Sequence, residues 1–519
     1  MSVYEVEILK NEYWYGGAVN DGYLYPLSQE DHYSVDLRKN ATYNQINPLY
    51  VSSKGRYIWL ENAGRILFDQ GKIIIEAEKF ELDSSSKTLK EAQQKAAHKF
   101  FPSNGKIPAE IAFKAPQICS WIALDYQQNQ EGILSYATSY IKAGYKPGII
   151  ILDDTWQRDY GVWEFDANNF PDPKKLVEKL HELGFKVVLW VAPYVSADSP
   201  SFRELKEKDA FLRKENGEFL FADWWNGYSV VLDFSKESAK NWFELQIARL
   251  KEKYSIDGFK LDGGDAQFLQ GGDYPNANIH NTLWCNAIDY DVDNSILEFR
   301  ACYKMGGTNI IARLADKAHR WGVEWVSDEE LPDKGYLKYG LSTLVPNILT
   351  QGLTGYYYGC PDMVGGGFYG DFVNKKLDDE LLIRWCQCST FMPMVQFSYP
   401  LWNESNEVIR SAMKDALTVR ETCIDYIITL AQAASRTGEP IVRYMEYEFP
   451  QQGFEKVTSQ FLLGDKYLIA PIIEKGQKEK TVYFPKGTVW QSISDGKTYD
   501  GCSYTFSVDI NTILAFKKI

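Results

Sequence analysis

The chain has 519 residues, of which 45% are hydrophobic and 24% charged, a composition typical of a globular protein with two or three domains. Its net charge of −14 argues against nucleic acid or an anionic membrane surface as a partner. No apolar run approaches the roughly 20 residues that cross a bilayer. Residues 1–14 also lack the basic and apolar regions of a signal peptide.

The eight cysteines show no spacing typical of a metal site, and the chain has only five histidines. Cys386 and Cys388 form a C-x-C pair with no histidine nearby. We therefore expect no metal and no cofactor. Unpaired thiols also favour a reducing compartment, so we expect a cytoplasmic protein.

Residues 1–115 are predicted to form an N-terminal β-sandwich domain. Short aromatic or β-branched segments such as 57–60 and 72–77 are bounded by turn residues, and helical periodicity is confined to 87–98. The aromatic-glycine stretch at 14–18 is interpreted as a plain turn, the alternative being a loop that reaches the active site. After residue 440 the pattern becomes β-like again, which predicts a small C-terminal β-domain over 441–519.

Residues 116–440 alternate between apolar strands and amphipathic helices. Such alternation implies a parallel sheet, and six or more units favour a closed (β/α)8 TIM barrel. No glycine-rich nucleotide fingerprint opens any of the helices. The predicted strands are 118–124, 148–154, 186–193, 230–234, 258–262, 309–313, 323–328 and 354–362.

The segment 258–265 is the centre of this prediction. It reads as a short buried strand that runs into a turn at Gly263 and Gly264, with Asp262 where the strand ends. Catalytic groups of such barrels lie at the carboxyl ends of the strands, which makes Asp262 a candidate for chemistry. The alternative is that Asp262 only caps the following turn or helix.

Carboxylates and tryptophans recur at the predicted strand ends. Glycoside hydrolysis needs two carboxylates that face one bond, and aromatic faces suit sugar rings. The pattern therefore predicts a glycosidase, although one or two of these aspartates are expected to cap helices. The residues are Asp153, Asp154, Trp190, Asp262, Asp328 and Asp362.

Several segments resemble glycoside hydrolase family 31, in the same order along the chain. The strand 258–262 resembles the nucleophile strand, and Trp325 to Asp328 resembles the W-T-G-D segment that carries the acid/base. Residues 360–366 resemble the family's D-I-G-G substrate segment, and residues 384–387 with 391–393 resemble its R-W-x-Q and F-x-P segments. Three further segments resemble the beginning and the course of the family's C-terminal domain: 438–443, 464–471 and 484–490.

Two departures bear on the substrate. The α-glucosidases of the family have M-N-E after the nucleophile and R-x-x-H after F-x-P, and this chain has neither. The segments 152–156 and 259–262 instead resemble the D-D-x-W and K-x-D segments of α-galactosidases of families 27 and 36, which belong to the same clan. The resemblance thus implies an α-galactosidase-like branch of family 31.

This resemblance implies a retaining, exo-acting α-galactosidase that acts on an oligosaccharide or glycoside. Asp262 would be the nucleophile and Asp328 the acid/base. An α-glucosidase, an α-xylosidase and a non-catalytic sugar-binding barrel are the alternatives, and transglycosylation and a homo-oligomer are left open. The substrate-binding residues implied are Asp153, Asp154, Trp156, Trp190, Lys260, Arg313, Trp325 and Asp362.

Overall fold

The computed structural model describes residues 2–38, 44–269, 277–327, 335–373 and 376–519. In the N-terminal part, two antiparallel four-stranded sheets have the strand orders β1-β7-β6-β3 and β2-β4-β5-β8. The alternating burial of β6 and β7 explains why their sequences were readable as strands. The strands are β1 Ser2–Glu7, β2 Trp14–Ala18, β3 Tyr33–Asp36, β4 Ile46–Ser52, β5 Tyr57–Leu60, β6 Arg65–Asp69, β7 Lys72–Ala77 and β8 Phe80–Asp83.

The aromatic-glycine stretch is itself strand β2, and its backbone shifts register at Gly16 and Gly17 against β4. A 3-10 segment, Val19–Leu24, follows directly and carries Asn20 to the wall of the barrel cavity. The plain-turn interpretation of residues 14–18 was therefore wrong. Both glycines have positive φ values of 122° and 81°, a conformation that side chains other than glycine rarely adopt.

The middle of the chain forms the predicted barrel. Within the described residues, eight strands lie parallel in the order β22-β19-β18-β17-β13-β10-β9-β23. The strands of this region are β9 Gln117–Cys119, β10 Ile149–Leu152, β11 Gln157–Asp159, β12 Val162–Phe165, β13 Lys186–Val191, β14 Tyr194–Val195, β15 Phe221–Trp224, β16 Gly227–Val231, β17 Gly258–Leu261, β18 Leu297–Phe299, β19 Ile311–Arg313, β20 Val323–Ser327, β21 Gly335–Tyr339, β22 Gly359–Cys360 and β23 Gln396–Phe397.

Two predicted barrel strands lie elsewhere. Strand β16, expected over 230–234, pairs antiparallel with β14 and β15 in a sheet of its own. Strand β20, expected over 323–328, pairs antiparallel with β21 as a hairpin. Polar Glu324 interrupts the apolar run of β20, so this segment can be solvated on one face, whereas a parallel barrel strand is buried on both.

Two true barrel strands, β18 and β23, escaped prediction. Both are very short. Glu298 in the middle of β18 and Gln396 at the start of β23 are buried polar residues, and the Gln396 amide donates to the Glu298 carboxylate at 2.8 Å. A buried polar residue breaks the hydrophobic run that marks a strand. Only the closure of the barrel brings these two side chains together, so that each gives the other a hydrogen-bond partner.

Helices follow the barrel strands and cover the outside of the sheet. Several of those in the barrel region begin with clear signals, such as Asp172 before Pro173 in α5. The helices of the described chain are α1 Leu89–Phe100, α2 Ile111–Lys114, α3 Ser120–Leu124, α4 Gln130–Lys142, α5 Pro173–Glu182, α6 Pro200–Glu207, α7 Glu237–Tyr254, α8 Ala277–Cys285, α9 Leu344–Leu353, α10 Asp379–Ser389, α11 Glu407–Glu421, α12 Ile424–Thr437 and α13 Met445–Glu448. Among the described residues, none of the helices combines the length and the apolar character needed to cross a membrane.

The C-terminal part is a β-domain with its own hydrophobic core around Phe484, Trp490 and Phe516. Its sheet orders are β24-β25-β26-β31-β28-β29 and β27-β30. The domain boundaries expected after residues 115 and 440 stay predictions. The strands are β24 Val442–Arg443, β25 Phe461–Leu463, β26 Tyr467–Ile469, β27 Glu479–Tyr483, β28 Val489–Ser492, β29 Thr498–Asp500, β30 Ser503–Ser507 and β31 Ala515–Lys518.

Candidate active site

The carboxyl ends of the barrel strands open into one cavity of about 810 Å³. Parallel strands bring residues from distant parts of the chain to this face, because all their carboxyl ends meet there. Five of the residues predicted from the sequence line the cavity, and four further lining residues follow barrel strands or their loops. The former are Asp153, Asp154, Trp190, Lys260 and Asp262; the latter are Trp121, Arg300, Asp316 and Lys338.

Asp262 lies directly after β17 and is almost fully buried. Its Oδ1 accepts hydrogen bonds from Arg300 Nε at 2.6 Å and from the Gly263 amide at 2.9 Å. Its Oδ2 accepts a longer one, 3.2 Å, from Trp190 Nε1. One carboxylate oxygen is therefore held tightly, and the other is held more loosely at the cavity.

Three cations surround this carboxylate. Lys260 Nζ and an Arg313 nitrogen lie 3.9 and 4.0 Å from Oδ2, in addition to the ion pair with Arg300. Burial alone would raise the pKa of Asp262, but Arg300, Lys260 and Arg313 outweigh burial and hold the pKa well below its usual range. Asp262 is thus an ionised, oriented carboxylate at the cavity.

Arg300 was missed in the sequence because β18, the strand before it, was missed. Its two terminal nitrogens form a bidentate pair with Asp265, with both distances at 2.7 Å. Gly263 and Gly264 have φ values near +70°, and this turn brings Asp265 back toward Arg300. The Gly-Gly-Asp sequence after Asp262, noted as a departure from M-N-E, thus anchors the arginine that holds Asp262.

Asp153 and Lys260 form a second buried pair, with 2.7 Å between Nζ and Oδ2. The Cys119 thiol also lies 2.9 Å from Asp153 Oδ2. The register explains the meeting, because β10, β13 and β17 are neighbours in the sheet. Asp153 is thus held by protein groups at the base of the cavity.

Asp154 lies beside Asp153 but has different partners. Its Oδ2 accepts from Tyr160 at 3.1 Å and from Asn226 Nδ2 at 2.6 Å, and its Oδ1 accepts from Gln157 at 3.2 Å. Burial and then the charge of Asp153 raise the pKa of Asp154 to about 7. The two adjacent carboxylates therefore differ in their surroundings, as neighbouring residues at a strand end should.

Three predicted site residues lie behind the cavity wall. Trp156 is fully buried and donates to the Trp190 carbonyl at 2.8 Å, so it supports Trp190. Arg313 contacts Glu298 at 3.1 Å, Asp316 at 2.5 Å and Asp362 at 3.1 Å. Neither Arg313 nor Asp362 is among the residues that line the cavity, and a direct contact of either with the sugar stays a prediction.

Trp325 does not line the cavity either. This residue lies in the β20–β21 hairpin and is 59% exposed, and its contact with the sugar stays a prediction. Asp328 lies outside the described residues, so its role stays a prediction. Among the described residues, Asp316, which follows β19 and has a side chain 40% exposed, is a carboxylate on the cavity wall that sequence reasoning missed.

Many of the missed lining residues are aromatic. Trp121 and Tyr126 follow β9, Trp225 lies between β15 and β16, Phe268 follows the Asp265 turn, and Tyr369 lies after β22. Trp225 had been noticed only as part of a loop. An unusual density of aromatic residues was the available signal, but it could not separate cavity residues from core residues. Among the described residues, no cluster of histidine, cysteine or carboxylate side chains could hold a metal ion.

The barrel, its acidic and aromatic cavity and the flanking β-domains define the class of protein as a (β/α)8 barrel with a candidate site at its strand ends. The model of the glycosyl hydrolase family 31 TIM-barrel domain matches residues 107–430, and that of the family's C-terminal domain matches 438–518. The chain belongs to glycoside hydrolase family 31.

Similar proteins include the mouse "Myogenesis-regulating glycosidase", which is 30% identical over 78% of this chain and 55% of its own length. "Alpha-xylosidase XylQ" of Lactiplantibacillus pentosus is 26% identical over 87% of this chain and 59% of its own length. The chain thus spans little more than half the length of these relatives. A family 31 dextranase of Flavobacterium johnsoniae shares the fold, with a TM-score of 0.82 at 19% identity over 99% of this chain and 66% of that one.

These comparisons show the family but give no support to an α-galactosidase-like branch. Neither relative is named as an α-galactosidase, and the name of XylQ is that of an α-xylosidase. The galactoside therefore remains an interpretation of the Asp153–Asp154 and Lys260 segments alone.

Proposed function

We propose that the protein is a retaining, exo-acting α-glycoside hydrolase with Asp262 as its nucleophile. The observation that supports this most strongly is the carboxylate of Asp262, which lines the cavity and lies beside three cations that hold its pKa well below the usual range. Arg300 and Gly263 fix Oδ1, so Oδ2 is the oxygen available to attack the anomeric carbon. Exo action is carried over from the family resemblance.

In this proposal a carboxylic acid protonates the leaving oxygen while Asp262 forms a covalent glycosyl-enzyme. The same group then removes a proton from water, which displaces Asp262 from the anomeric carbon. Two inversions give net retention of the α configuration. The family resemblance assigns the acid/base role to Asp328. Asp316 is the second candidate because it lines the cavity and is partly exposed.

The nucleophile is tested with Asp262→Ala. We expect turnover to fall at least about a thousandfold, and sodium azide to restore it with formation of the β-glycosyl azide. Asp223→Ala is the matched control, because Asp223 is an exposed carboxylate on β15. Wild-type-like activity in Asp262→Ala would refute the assignment.

The acid/base is tested with Asp328→Asn and Asp316→Asn. The true acid/base variant should lose far more activity on a substrate with a poor leaving group than on an activated aryl glycoside, because only the former needs protonation. The other variant should lose activity by similar factors on both substrates.

Retention is tested by NMR of the first product. It should show the α-anomer, and a β-anomer would contradict retention.

The sugar itself is a finer proposal with three candidates. The α-xylosidase name of the relative XylQ favours an α-xyloside, and an α-glucoside is a further candidate. An α-galactoside is favoured by Asp153 and Asp154, two adjacent carboxylates that could address two hydroxyls from different directions. Sites built to bind a given hydroxyl discriminate sharply against analogues that misplace it.

A panel of 4-nitrophenyl α-glycosides separates these candidates. The galactoside proposal requires a preference in kcat/KM of at least about a hundredfold over the glucoside and the xyloside. Asp154→Ala should then reduce that preference. A preference for xyloside or glucoside would overturn the galactoside proposal, and inactivity on all of them would favour the non-catalytic alternative.

The cytoplasmic location stays a prediction.

A further inference from the structure

The turn that follows Asp262 carries two of the groups that hold its carboxylate. The Gly263 amide donates to Oδ1, and Asp265 forms the bidentate pair that orients Arg300 on the same oxygen. A shift of the turn would therefore move both partners of Oδ1 together. Glycine allows the backbone more conformations than any other residue, so contacts with neighbouring elements must define the path of this Gly-Gly turn.

Tyr194 on β14 contacts the turn at both glycines. Its hydroxyl accepts a hydrogen bond from the Gly264 amide at 2.8 Å, and its side chain is fully buried. A Cβ atom on Gly263 would lie only 2.7 Å from the Tyr194 ring, and one on Gly264 only 3.0 Å from Trp284 Cδ1. The turn is thus packed against both rings, and the hydroxyl gives its amide a partner.

Tyr194 is also connected to the donor on the other carboxylate oxygen. Its ring packs on Trp224, with ring centroids 4.4 Å apart, and Trp224 is stacked on Trp190 at 6.5 Å and an interplanar angle of 10°. Trp190 Nε1 in turn donates to Asp262 Oδ2. Because β14 and β15 belong to the three-stranded antiparallel sheet, this sheet contacts the groups around both oxygens of Asp262.

The Tyr194 hydroxyl contributes no charge to the site. Burial and then the charge of Asp265 raise the pKa of Tyr194 well above its usual range. The hydroxyl is therefore neutral throughout the acid and neutral range. Removing it takes away a hydrogen bond to the turn and leaves every charge around Asp262 in place.

We propose that Tyr194 is a positioning residue for Asp262, because its hydroxyl and ring hold the turn that carries Gly263 and Asp265. This inference rests on the proposed role of Asp262 as the nucleophile. Attack needs Oδ2 in line with the anomeric carbon, and a misplacement of about 1 Å can cost roughly a hundredfold in rate. Tyr194 does not line the cavity, so it acts through the turn and not through the sugar.

The first test is Tyr194→Phe, which keeps the ring and removes the hydroxyl. We expect kcat/KM for the preferred 4-nitrophenyl glycoside to fall about tenfold or more. The inhibition constant of the free monosaccharide should stay within about twofold of the wild-type value, since no group that lines the cavity is changed. A defect in general packing would weaken both in the same proportion.

The route of the effect is tested by combining Tyr194→Phe with Asp265→Asn. If Tyr194 acts through the turn, the double variant should lose clearly less than the product of the two single losses, because both changes disturb the same contact with Arg300. Losses that multiply would show that the two residues act independently and would overturn the proposal.

Gly264→Ala displaces the same turn without touching the hydroxyl. Its Cβ would press on Trp284, and its φ of 72° is unfavourable for alanine. We expect a loss of kcat/KM of at least about tenfold, again with a nearly unchanged inhibition constant. Wild-type kcat/KM in this variant would show that the path of the turn does not matter, which would also overturn the proposal.

Tyr426→Phe is the matched control. The Tyr426 hydroxyl likewise accepts a backbone amide directly after a glycine, that of Asp465 at 3.1 Å, but it does so at the C-terminal part of the chain. This variant should lower the Tm slightly, because one hydrogen bond is lost. Its kcat/KM should stay within about twofold of the wild-type value.

The outcomes separate this inference from the function on which it rests. A folded Tyr194→Phe enzyme with wild-type kcat/KM, or one in which kcat/KM and monosaccharide binding weaken equally, would refute the positioning role and leave Asp262 as the nucleophile. Wild-type-like activity in Asp262→Ala would refute the nucleophile itself. A wild-type protein that cleaves no α-glycoside would refute the glycosidase function.

Discussion

At the scale of single residues, the charge on Asp262 depends on its neighbours. Its depressed pKa keeps the carboxylate ionised through the ordinary acid range, so the acid limb that Asp262 sets in the wild-type pH profile should lie below the usual range of an aspartate. Arg300→Gln removes one of the three cations, and the pKa of Asp262 should rise. We expect the acid limb of kcat/KM for an aryl glycoside to move upward by about one pH unit or more.

Asp265→Asn is the companion variant. It leaves the charge of Arg300 in place but weakens the bidentate pair that orients it. It should lower kcat with a smaller displacement of the acid limb. An acid limb that stays in place in Arg300→Gln, in protein with a wild-type circular dichroism spectrum, would contradict the role given to Arg300.

At the scale of an element, the 3-10 segment Val19–Leu24 connects the N-terminal sheets to the cavity and contains a half-buried carboxylate. Burial raises the pKa of Asp21 to about 6, against a hydrogen bond from Tyr33 at 2.7 Å that lowers it. An unfolded aspartate has a pKa of about 3.9, so the folded state binds the extra proton. Stability should therefore fall as the pH rises from about 4 to about 6 and stay lower above that range.

Asp21→Asn keeps an acceptor for Tyr33 and removes this titration. The variant should match the wild type near pH 4 and be more stable at pH 8 by roughly 2–3 kcal/mol. Differential scanning calorimetry at both pH values measures this as a Tm gain of several degrees at pH 8 only. An equal gain or loss at both pH values would show that Asp21 does not titrate in this range.

At the scale of the whole molecule, the N-terminal sheets help to form the active site. Gln45 Nε2 donates to the backbone carbonyls of Arg300 and Arg313, at 2.7 Å each, and Gln45 Oε1 accepts from Gln351 at 2.9 Å. Gln45→Leu would remove the donor to both carbonyls, at a cost of about 1–3 kcal/mol for each unsatisfied group, whereas Gln351 keeps the Ala312 carbonyl as an acceptor. We expect a lower Tm and a kcat/KM reduced about tenfold, because the arginines around Asp262 would shift.

Gln29→Leu is the control for this prediction, since Gln29 donates to the Ile8 carbonyl within the N-terminal part. It should lower the Tm and leave kcat/KM near the wild-type value. If Gln45→Leu likewise affects only the Tm, the N-terminal sheets stabilise the barrel without positioning its active site.

By itself, the sequence determined the class of fold and the strand ends that carry Asp153, Asp154, Trp190, Lys260 and Asp262. These residues follow or lie within continuous apolar runs, and such runs are local signals that need no partner to be recognised. The order of the family-like segments then predicted the family, which the comparisons confirm.

The tertiary structure alone decided which side chains meet. Arg300 follows a three-residue strand with a buried Glu298, and only pairing across the sheet makes that strand visible. Trp325 and Arg313 have equally suggestive neighbours in the sequence, yet one is exposed on a hairpin and the other is buried behind the wall. The reason is physical: local patterns set where a strand lies, whereas register, chain crossings and the pairing of buried charges set what faces the cavity.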